Sequence, residues 1–298
     1  MPDLAYVNGR ICTLQAASVP ILDRGFLFAD GVYEVMRTYE GRVFEPRAHT
    51  ARLRASLAGL RLRLPLSTAR LLEIVHDLIR RSRYPEARIY IQVTRGVAAR
   101  QHPFPPRAAP TLVVWVERLT PLDARQRARG ATAMTLPDPR WARCDLKTIA
   151  LLGNVLAKQE AVEAGVDEAI LVGPDGIVRE ASTANVFVVR DGILLTHPLG
   201  REILPGVSRQ VVLELAPRVG LRVREAKFDR RVLYRADEVL LSSTTQEVLG
   251  VVRIDGRKIG SGRPGEAAQA LWTAFQQRAH PVRDASGRGR SAASGGKR

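Results

Sequence analysis

Lysine is so rare in this chain that each one is a candidate chemical group. Only five of the 46 basic residues are lysines, at positions 147, 158, 227, 258 and 297. Arginine cannot lose its proton in a protein or form an imine, whereas lysine can do both. Lys147, in the segment Arg143-Cys144-Asp145-Leu146-Lys147-Thr148, is the strongest candidate, predicted at the end of a strand and before a helix. The alternative is an ordinary surface lysine at a strand end.

A carboxylate and a helix start supply two further groups. Glu180 lies where two predicted half-buried strands meet, and a carboxylate there requires a cationic partner. That partner is either a protonated pyridine nitrogen or one of the many arginines, and the spacing favours neither. Pro205-Gly206 leads into a predicted helix with Ser208 near its start. Free N–H groups at such a start bind anions, although most such sequences are simply N-capped helices.

The order of the predicted strands and helices that position these groups indicates an α+β fold with two domains. The first forty residues have the alternating pattern of strands and hairpins. Residues at helical spacing then run from Pro46 to Leu64 and from Ser67 to Arg81. A polar, proline-containing segment follows two more strands and predicts a linker. The expected boundaries are 1–118 for the amino-terminal domain, 119–129 for the linker, 130–280 for the carboxy-terminal domain and 281–298 for a disordered basic tail.

Composition narrows the class of protein. The chain has 298 residues, 45% of them apolar, which predicts a globular protein. It has no apolar run of membrane-spanning length, no signal-peptide pattern and only two cysteines, so we expect a cytoplasmic protein that does not bind membranes. The net charge of +16 is spread along the chain without a nucleic-acid-binding motif. Motifs of serine hydrolases, zinc proteases and P-loop proteins are missing, and no metal is predicted.

Several long segments together resemble the fold-type IV pyridoxal-phosphate enzymes. This family contains D-amino acid and branched-chain aminotransferases and aminodeoxychorismate lyase. The resemblance covers residues 8–275 and is closest to the D-amino acid aminotransferases. It implies a small amino-terminal α/β domain and a larger carboxy-terminal domain with a pseudo-barrel of strands and helices. The matching segments are Asp23-Arg24-Gly25, Phe28–Val35, Gln92–Gly96, Arg140-Trp141, Arg143–Asp145, Leu151–Gly153, Leu156–Ala161, Thr196-His197-Pro198 and Ser243-Thr244-Thr245.

The resemblance implies a pyridoxal 5'-phosphate site. Lys147 matches the lysine that carries the cofactor as a Schiff base, and it would also act as the catalytic acid and base. Glu180 matches the carboxylate on the pyridine nitrogen. The other matching cofactor ligands are Arg52, Val207, Ser208 and Thr244 at the phosphate and Leu204 against the ring.

The same resemblance implies a substrate site shared between two subunits. Tyr33 matches a tyrosine that binds the substrate α-carboxylate, and Arg100 and His102 match an R-x-H loop that reaches it from the partner of a homodimer. Alternatively, Arg100 is one surface arginine among 41 and His102 faces water. The residues Ala181–Ala184, Thr38 and the tail depart from the closest relatives, which leaves the preferred side chain open.

The implied reaction is transamination between a D-amino acid such as D-alanine and a 2-oxo acid such as 2-oxoglutarate or pyruvate. Two alternatives belong to the same family, a branched-chain L-amino acid aminotransferase and an aminodeoxychorismate lyase. An alternative outside enzymes is a basic nucleic-acid-binding protein. For the enzyme we expect small-molecule substrates and no nucleic-acid or membrane partner.

Overall fold

The amino-terminal part of the chain is a six-stranded antiparallel sheet packed against two long helices. The computed structural model describes residues 3–281, and all counts here refer to that range. The elements are β1 (Leu4–Val7), β2 (Arg10–Thr13), α1 (Arg24–Phe28), β3 (Gly31–Tyr39), β4 (Arg42–Val43), α2 (Pro46–Gly59), α3 (Thr68–Ser82), β5 (Ala87–Thr94) and β6 (Thr111–Arg118). The strand order is β2-β1-β6-β5-β3-β4.

Apolar periodicity explains how α2 and α3 pack on this sheet. Buried side chains recur along α3 every three or four residues, and α3 begins where the Ser67 side chain accepts the backbone N–H of Arg70 at 3.1 Å. Helix α2 ends at Gly59, although the helical spacing predicts that it continues to Leu64. Arg61 has a left-handed φ of 54°, a conformation that cannot continue a right-handed helix.

The carboxy-terminal part is a larger mixed sheet with helices against it. Its elements are α4 (Ala124–Arg129), β7 (Ala131–Pro137), α5 (Leu152–Glu163), β8 (Glu168–Val172), β9 (Val178–Ala181), β10 (Asn185–Arg190), β11 (Ile193–Thr196), α6 (Val207–Leu215), β12 (Arg222–Glu225), α7 (Arg230–Tyr234), β13 (Glu238–Ser243), β14 (Glu247–Ile254), β15 (Arg257–Lys258) and α8 (Glu266–Ala279). The order among the described residues is β12-β11-β10-β13-β14-β7-β8-β9, with β15 also pairing with β14.

This sheet curls into an open barrel. Strand β9 is at one edge and β10 is the third strand from the other edge, yet only residues 182–184 connect them. The N–H of Ala181 donates to the carbonyl of Ala184 at 2.7 Å, so the two strands meet at a tight turn. A flat sheet would place the whole width of the intervening strands between them. The α+β fold class and the pseudo-barrel expected from the sequence are therefore confirmed.

The segment between the two sheets contains a helix. The first sheet ends at Arg118 and the second begins at Ala131, and α4 lies between them with a capping box of Asp123 and Gln126. The division into four segments expected from the sequence stays a prediction, and residues 282–298 of the predicted tail lie outside the described residues. In the described range, no helix is both long enough and apolar enough to cross a bilayer.

Candidate active site

A single cleft brings together eight of the ten residues predicted to form the site. Residues from the first sheet and α2 form one wall, and residues from the curled sheet and the segments between its strands form the rest. Arg100 and His102 are not among the lining residues. The predicted residues that line the cleft are Tyr33, Arg52, Lys147, Glu180, Leu204, Val207, Ser208 and Thr244.

Lys147 lies in an irregular segment between β7 and α5, so the predicted strand end is wrong. Strand β7 ends at Pro137, ten residues before Lys147, and Pro139 lacks the N–H that would continue the ladder. The N–H of Lys147 donates to the Ser56 hydroxyl at 3.0 Å, and its carbonyl accepts the N–H of Tyr33 at 2.9 Å. Its Nζ lies 4.1 Å from the Tyr33 ring centroid. The first sheet and α2 therefore fix the backbone that carries the amine.

Glu180 is a buried carboxylate in β9 with three kinds of donor around it. It accepts the Leu204 N–H at 3.0 and 3.1 Å, the Asn185 amide at 2.8 Å and a short hydrogen bond from Arg140. Arg140 also pairs with Asp138 at 2.8 Å. Burial raises the pKa of Glu180, and the nearby Arg140 guanidinium opposes that rise. The arginine partner that the sequence left open is therefore present.

Arg140 does not occupy all the hydrogen-bond acceptor positions of the Glu180 carboxylate. Two carboxylate oxygens offer about four acceptor positions, and Arg140, Asn185 and the Leu204 N–H are the hydrogen-bond donors to Glu180 among the described residues. The Leu204 N–H is shared between both oxygens, so a further donor would replace one half of that shared hydrogen bond. The positive charge of Arg140 is also shared with Asp138, which its Nε approaches at 2.9 Å. Glu180 can therefore accept a hydrogen bond from a protonated ring nitrogen in the cleft.

Arg52 also lines the cleft and is held in place by a fully buried carboxylate. Its Nε and Nη2 donate to Glu34 at 3.0 and 2.5 Å, and its Nη1 donates to the Pro205 carbonyl at 3.2 Å. His49 Nδ1 lies 3.0 Å from the same carboxylate. Burial alone would raise the pKa of Glu34, but Arg52 and His49 outweigh it and hold that pKa below its usual range. Glu34 therefore stays ionised and fixes the plane of the guanidinium.

The start of α6 supplies backbone donors next to Arg52. Its N-cap residue Gly206 provides no side-chain cap, so the first-turn N–H groups have no partner within the helix. A Cβ at Gly206 would lie 2.0 Å from the Asn185 side-chain oxygen, so this position has room only for glycine. Ser208 and Thr244 line the same region, and the buried Ser242 hydroxyl has no hydrogen-bond partner among the residues described.

The donor set fits pyridoxal phosphate. A guanidinium, a helix start and hydroxyl groups together form a typical binding site for a phosphate group. Lys147 provides an amine, and Glu180 provides a carboxylate for a ring nitrogen. The orphaned Ser242 hydroxyl and the uncapped helix start are both unsatisfied donors that an anion would pair.

Arg100 and His102 lie on the exposed loop 96–110 between β5 and β6. The Arg100 guanidinium is 5.3 Å from the centroid of the Phe28 ring, and the His102 ring centroid is 5.5 Å from the same ring. The structure thus places the two side chains beside one aromatic ring and outside the cleft of their own subunit.

Sequence reasoning missed four positioning residues, Glu34, His49, Arg140 and Asn185. Glu34 and Arg140 do occur in the segments quoted for the family resemblance, so a signal was available. An acidic residue between apolar neighbours in the first half of β3 was the clearest part of that signal, because a buried carboxylate requires a cation.

Comparisons with known proteins agree with this geometry. The family model described as amino-transferase class IV matches residues 31–254. The chain is 40% identical over 269 residues to D-alanine aminotransferase of Bacillus licheniformis, covering 90% of this chain and 94% of that protein. It is 39% identical over 271 residues to D-alanine aminotransferase of Listeria monocytogenes, covering 90% and 93%.

A solved structure gives the same assignment. The branched-chain amino acid aminotransferase of Escherichia coli superposes with a TM-score of 0.88 at 28% identity, covering 93% of this chain and 94% of that one. A second branched-chain amino acid aminotransferase, solved with pyridoxamine 5'-phosphate, superposes with a TM-score of 0.87 at 28% identity, covering 94% and 96%. The family model alone spans well over half of the sequence. The chain therefore belongs to the class IV aminotransferases, the pyridoxal-phosphate-dependent family that the sequence segments predicted.

Proposed function

We propose that this enzyme transfers the amino group of a D-amino acid, D-alanine first among them, to a 2-oxo acid such as 2-oxoglutarate or pyruvate. The observation that carries the proposal is the convergence of Lys147, Glu180 and Arg52 in one cleft. Two D-alanine aminotransferases at 39–40% identity support the D configuration. The match of Tyr33, Arg100 and His102 to the carboxylate-binding residues of the D-amino acid aminotransferases supports it as well.

Each cleft residue has a defined part in this reaction. Bound pyridoxal phosphate supplies an electron sink for the pair left when the substrate loses its Cα proton. Lys147 would hold the cofactor covalently. As a free amine it would then remove the Cα proton and donate it to the cofactor. Glu180 would keep the ring nitrogen protonated. Arg52, Val207, Ser208 and Thr244 would anchor the phosphate, and Leu204 would pack against the ring.

We further propose a homodimer in which each site is completed by its partner. Ile21, Phe26 and Leu152 are 75, 74 and 70% exposed, which is unusual for large apolar side chains and is typical of a protein interface. Arg100 and His102 lie outside their own cleft, so they can reach a carboxylate only in another subunit's cleft. Small-molecule substrates, no nucleic-acid or membrane partner, and a cytoplasmic location remain part of this proposal.

A substrate titration of the purified enzyme tests the proposal. We expect the visible absorption of the bound cofactor to bleach with D-alanine and to persist with L-leucine, followed by recovery when a 2-oxo acid is added. Bleaching by L-leucine alone would assign the enzyme to the branched-chain L-amino acid aminotransferases, which its structural neighbours also represent. Turnover of aminodeoxychorismate without a 2-oxo acid would assign it to the lyases. A protein without visible absorption would contradict the cofactor site.

Replacing Arg52 by Ala should weaken cofactor retention more than it slows the chemistry. A charge-assisted contact to phosphate acts in the ground state, so its loss appears as dissociation. We expect a roughly 10- to 100-fold rise in the Kd of pyridoxal phosphate, since hydrogen bonds to charged groups contribute about 1.5–3 kcal/mol. Equilibrium dialysis measures it, and Arg54→Ala on the exposed face of α2 is the matched control. Equal affinity in both variants would contradict the phosphate role.

Replacing Arg100 by Ala should lower kcat/KM for D-alanine. The loss should correspond to about 2–4 kcal/mol of transition-state stabilisation, the cost of removing one partner from a desolvated charge pair. Both KM and kcat should change, because the contact binds the carboxylate and also orients the Cα–H bond. Steady-state kinetics measure both. Arg107→Ala, an exposed arginine of the same loop, is the control and should behave as the parent enzyme.

Mixed dimers test whether Arg100 acts across the interface. A dimer of one Lys147→Ala subunit and one Arg100→Ala subunit contains one cleft with an intact lysine and an intact partner loop. Such a dimer, coexpressed with two affinity tags and purified over both, should recover about half of the parent activity. No recovery in verified mixed dimers would place Arg100 within its own subunit and would remove the main support for the shared site.

A further inference from the structure

The Asp23-Arg24-Gly25 segment has no part in the proposed chemistry, yet it is tightly packed. The Asp23 side chain accepts the Gly25 N–H at 2.8 Å and begins α1. A Cβ at Gly25 would lie 2.3 Å from the Thr94 methyl group, so only glycine fits against β5. The N–H of Arg24 donates to the Gly96 carbonyl at 2.9 Å. These contacts dock α1 where the loop 96–110 leaves the sheet.

The buried Arg24 guanidinium binds the backbone of that loop. It is 3% exposed, and it donates to the carbonyls of Gln101, His102 and Pro103 at 2.5, 3.2 and 3.4 Å. Three consecutive carbonyls therefore turn towards one side chain, and they belong to the residues directly after Arg100. A neutral or shorter side chain could not pair all three, because only the guanidinium offers five donors in a planar fork.

Asp30 fixes that guanidinium in turn. It accepts Arg24 Nε at 2.8 Å and Arg95 Nε and Nη2 at 2.8 and 3.0 Å. Burial alone would raise the pKa of Asp30, but Arg95 and Arg24 outweigh it and lower that pKa. Arg95 also stacks 3.6 Å from the centroid of the Phe104 ring, further along the loop. One ionised carboxylate thus holds two arginines that contact the loop, Arg24 and Arg95.

Phe28 gives the carboxylate-binding side chains a common support. Its ring centroid lies 4.8 Å from the Arg24 guanidinium, 5.3 Å from that of Arg100 and 5.5 Å from the His102 ring centroid. Arg24 and Phe28 are the first and last residues of α1, so one turn of helix carries both the backbone clamp and the aromatic support.

The loop that Arg24 contacts is long and irregular. Arg95 and the fifteen residues of the loop 96–110 separate β5 from β6, without helix or strand and with prolines at 103, 105, 106 and 110. Irregular loops of this length are uncommon unless they are functional. A loop ordered before the substrate arrives avoids the cost of ordering it on binding, and it keeps the bound carboxylate at a fixed angle.

We propose that Arg24, held by Asp30, is a positioning residue for substrate recognition: it clamps the loop so that Arg100 and His102 present one carboxylate-binding surface to the partner's cleft. The inference rests on the proposed function, because it assigns the loop to the substrate carboxylate. Arg24 itself contacts neither substrate nor cofactor in this arrangement. Its influence passes through the backbone of residues 101–103.

The first test compares Arg24→Gln and Arg24→Lys with Arg70→Gln, an exposed arginine that pairs with Glu73 on α3. We expect Arg24→Gln to reduce kcat/KM for D-alanine about 10- to 100-fold, mainly through KM, as for lost hydrogen bonds from a charged group. Arg24→Lys, which keeps the charge and three donors, should recover part of this loss. Reaction with ethylamine, which has no carboxylate, should change less than about twofold.

Hydrogen exchange supplies a readout that does not depend on the reaction. In the cofactor-free protein the backbone amides of residues 99–102 and of Phe104 should exchange faster in Arg24→Gln and in Asp30→Asn, while the Arg70→Gln protein should match the parent. If Arg24→Gln is too unstable to measure, Arg24→Lys and Asp30→Asn carry the same comparison. Unchanged exchange in all of these variants would overturn the clamp.

Mixed dimers separate this role from general damage to the subunit. A verified dimer of Lys147→Ala and Arg24→Gln subunits should recover activity, because the cleft with the intact lysine receives an intact loop from its partner. Recovery with Arg100→Ala but not with Arg24→Gln would overturn the inference and leave the proposed function standing. A parent enzyme that does not process D-alanine would instead contradict the proposed function, and the exchange experiment would still test the clamp.

Discussion

Replacing Lys147 by Ala or Arg should abolish transamination and leave the fold intact. Arginine keeps the positive charge but cannot form an imine or give up its proton, so charge alone should not rescue the enzyme. We expect turnover to fall by more than about 10⁴-fold, the upper range for loss of an acid–base group alone. The amine lies near the Tyr33 ring, and no other lysine is among the described residues that line the cleft.

Two measurements separate loss of chemistry from loss of structure. After borohydride reduction, intact-protein mass spectrometry should show one bound cofactor on the parent chain and none on either variant. Thermal unfolding should stay within a few degrees of the parent, since the backbone contacts of Lys147 to Ser56 and Tyr33 use no side-chain atom of the lysine. Lys258→Arg, at an exposed position, is the control. Measurable turnover by Lys147→Arg under conditions that exclude contamination would refute the mechanism.

The local parts of the fold were predictable because they depend on neighbours in sequence. The apolar spacing of α3 and the N-cap Ser67 fix that helix almost to the residue, from Thr68 to Ser82. The end of α2 was not predictable, since the apolar spacing continues past Gly59 while the backbone reverses at Arg61. The irregular path to Lys147 depends on contacts to Ser56 and Tyr33, both of which are distant in the chain.

The residues that support the site were harder to predict than the site itself. Lys147 and Glu180 were found through residue type and the family resemblance. The partners of the charged groups depend on long-range contacts: Arg140 and Glu180 are 40 residues apart, and Arg24 and His102 are 78 apart. A sequence shows that a buried carboxylate needs a cation but not which of 41 arginines supplies it. The curling of the sheet and the packing of α1 determine which arginine pairs with each carboxylate.

The same physical arrangement recurs at two arginines of the cleft. Glu34 orients Arg52, and Asp138 shares the charge of Arg140 beside Glu180. In each case a carboxylate fixes an arginine that lines the cleft, and the geometry does not depend on a bound molecule. Asp30 does the same for Arg24 beneath the substrate loop. Fixed charges of this kind lose little energy to reorganisation when a reaction develops new charge.

Replacing Glu180 by Gln should slow removal of the Cα proton by about 160- to 5,000-fold, from the 3–5 kcal/mol typical of removing one member of a buried charge pair. An amide keeps the shape and can still meet the Leu204 N–H, but it cannot stabilise a protonated ring nitrogen. The Arg140 guanidinium stays paired with Asp138, so the variant should fold and should retain the cofactor. Glu180→Asp, which keeps the charge with a shorter reach, should lie between the variant and the parent.

Stopped-flow absorption with D-alanine and with its Cα-deuterated form measures the step that Glu180 is expected to assist. The isotope effect should increase in Glu180→Gln, because proton removal becomes the slow step. Asp138→Asn controls for a disturbed Arg140 and should slow the step far less than Glu180→Gln. A parent-like rate in Glu180→Gln, with the ring nitrogen still protonated by ¹⁵N NMR of labelled cofactor, would show that Arg140 and its neighbours suffice and would remove Glu180 from the mechanism.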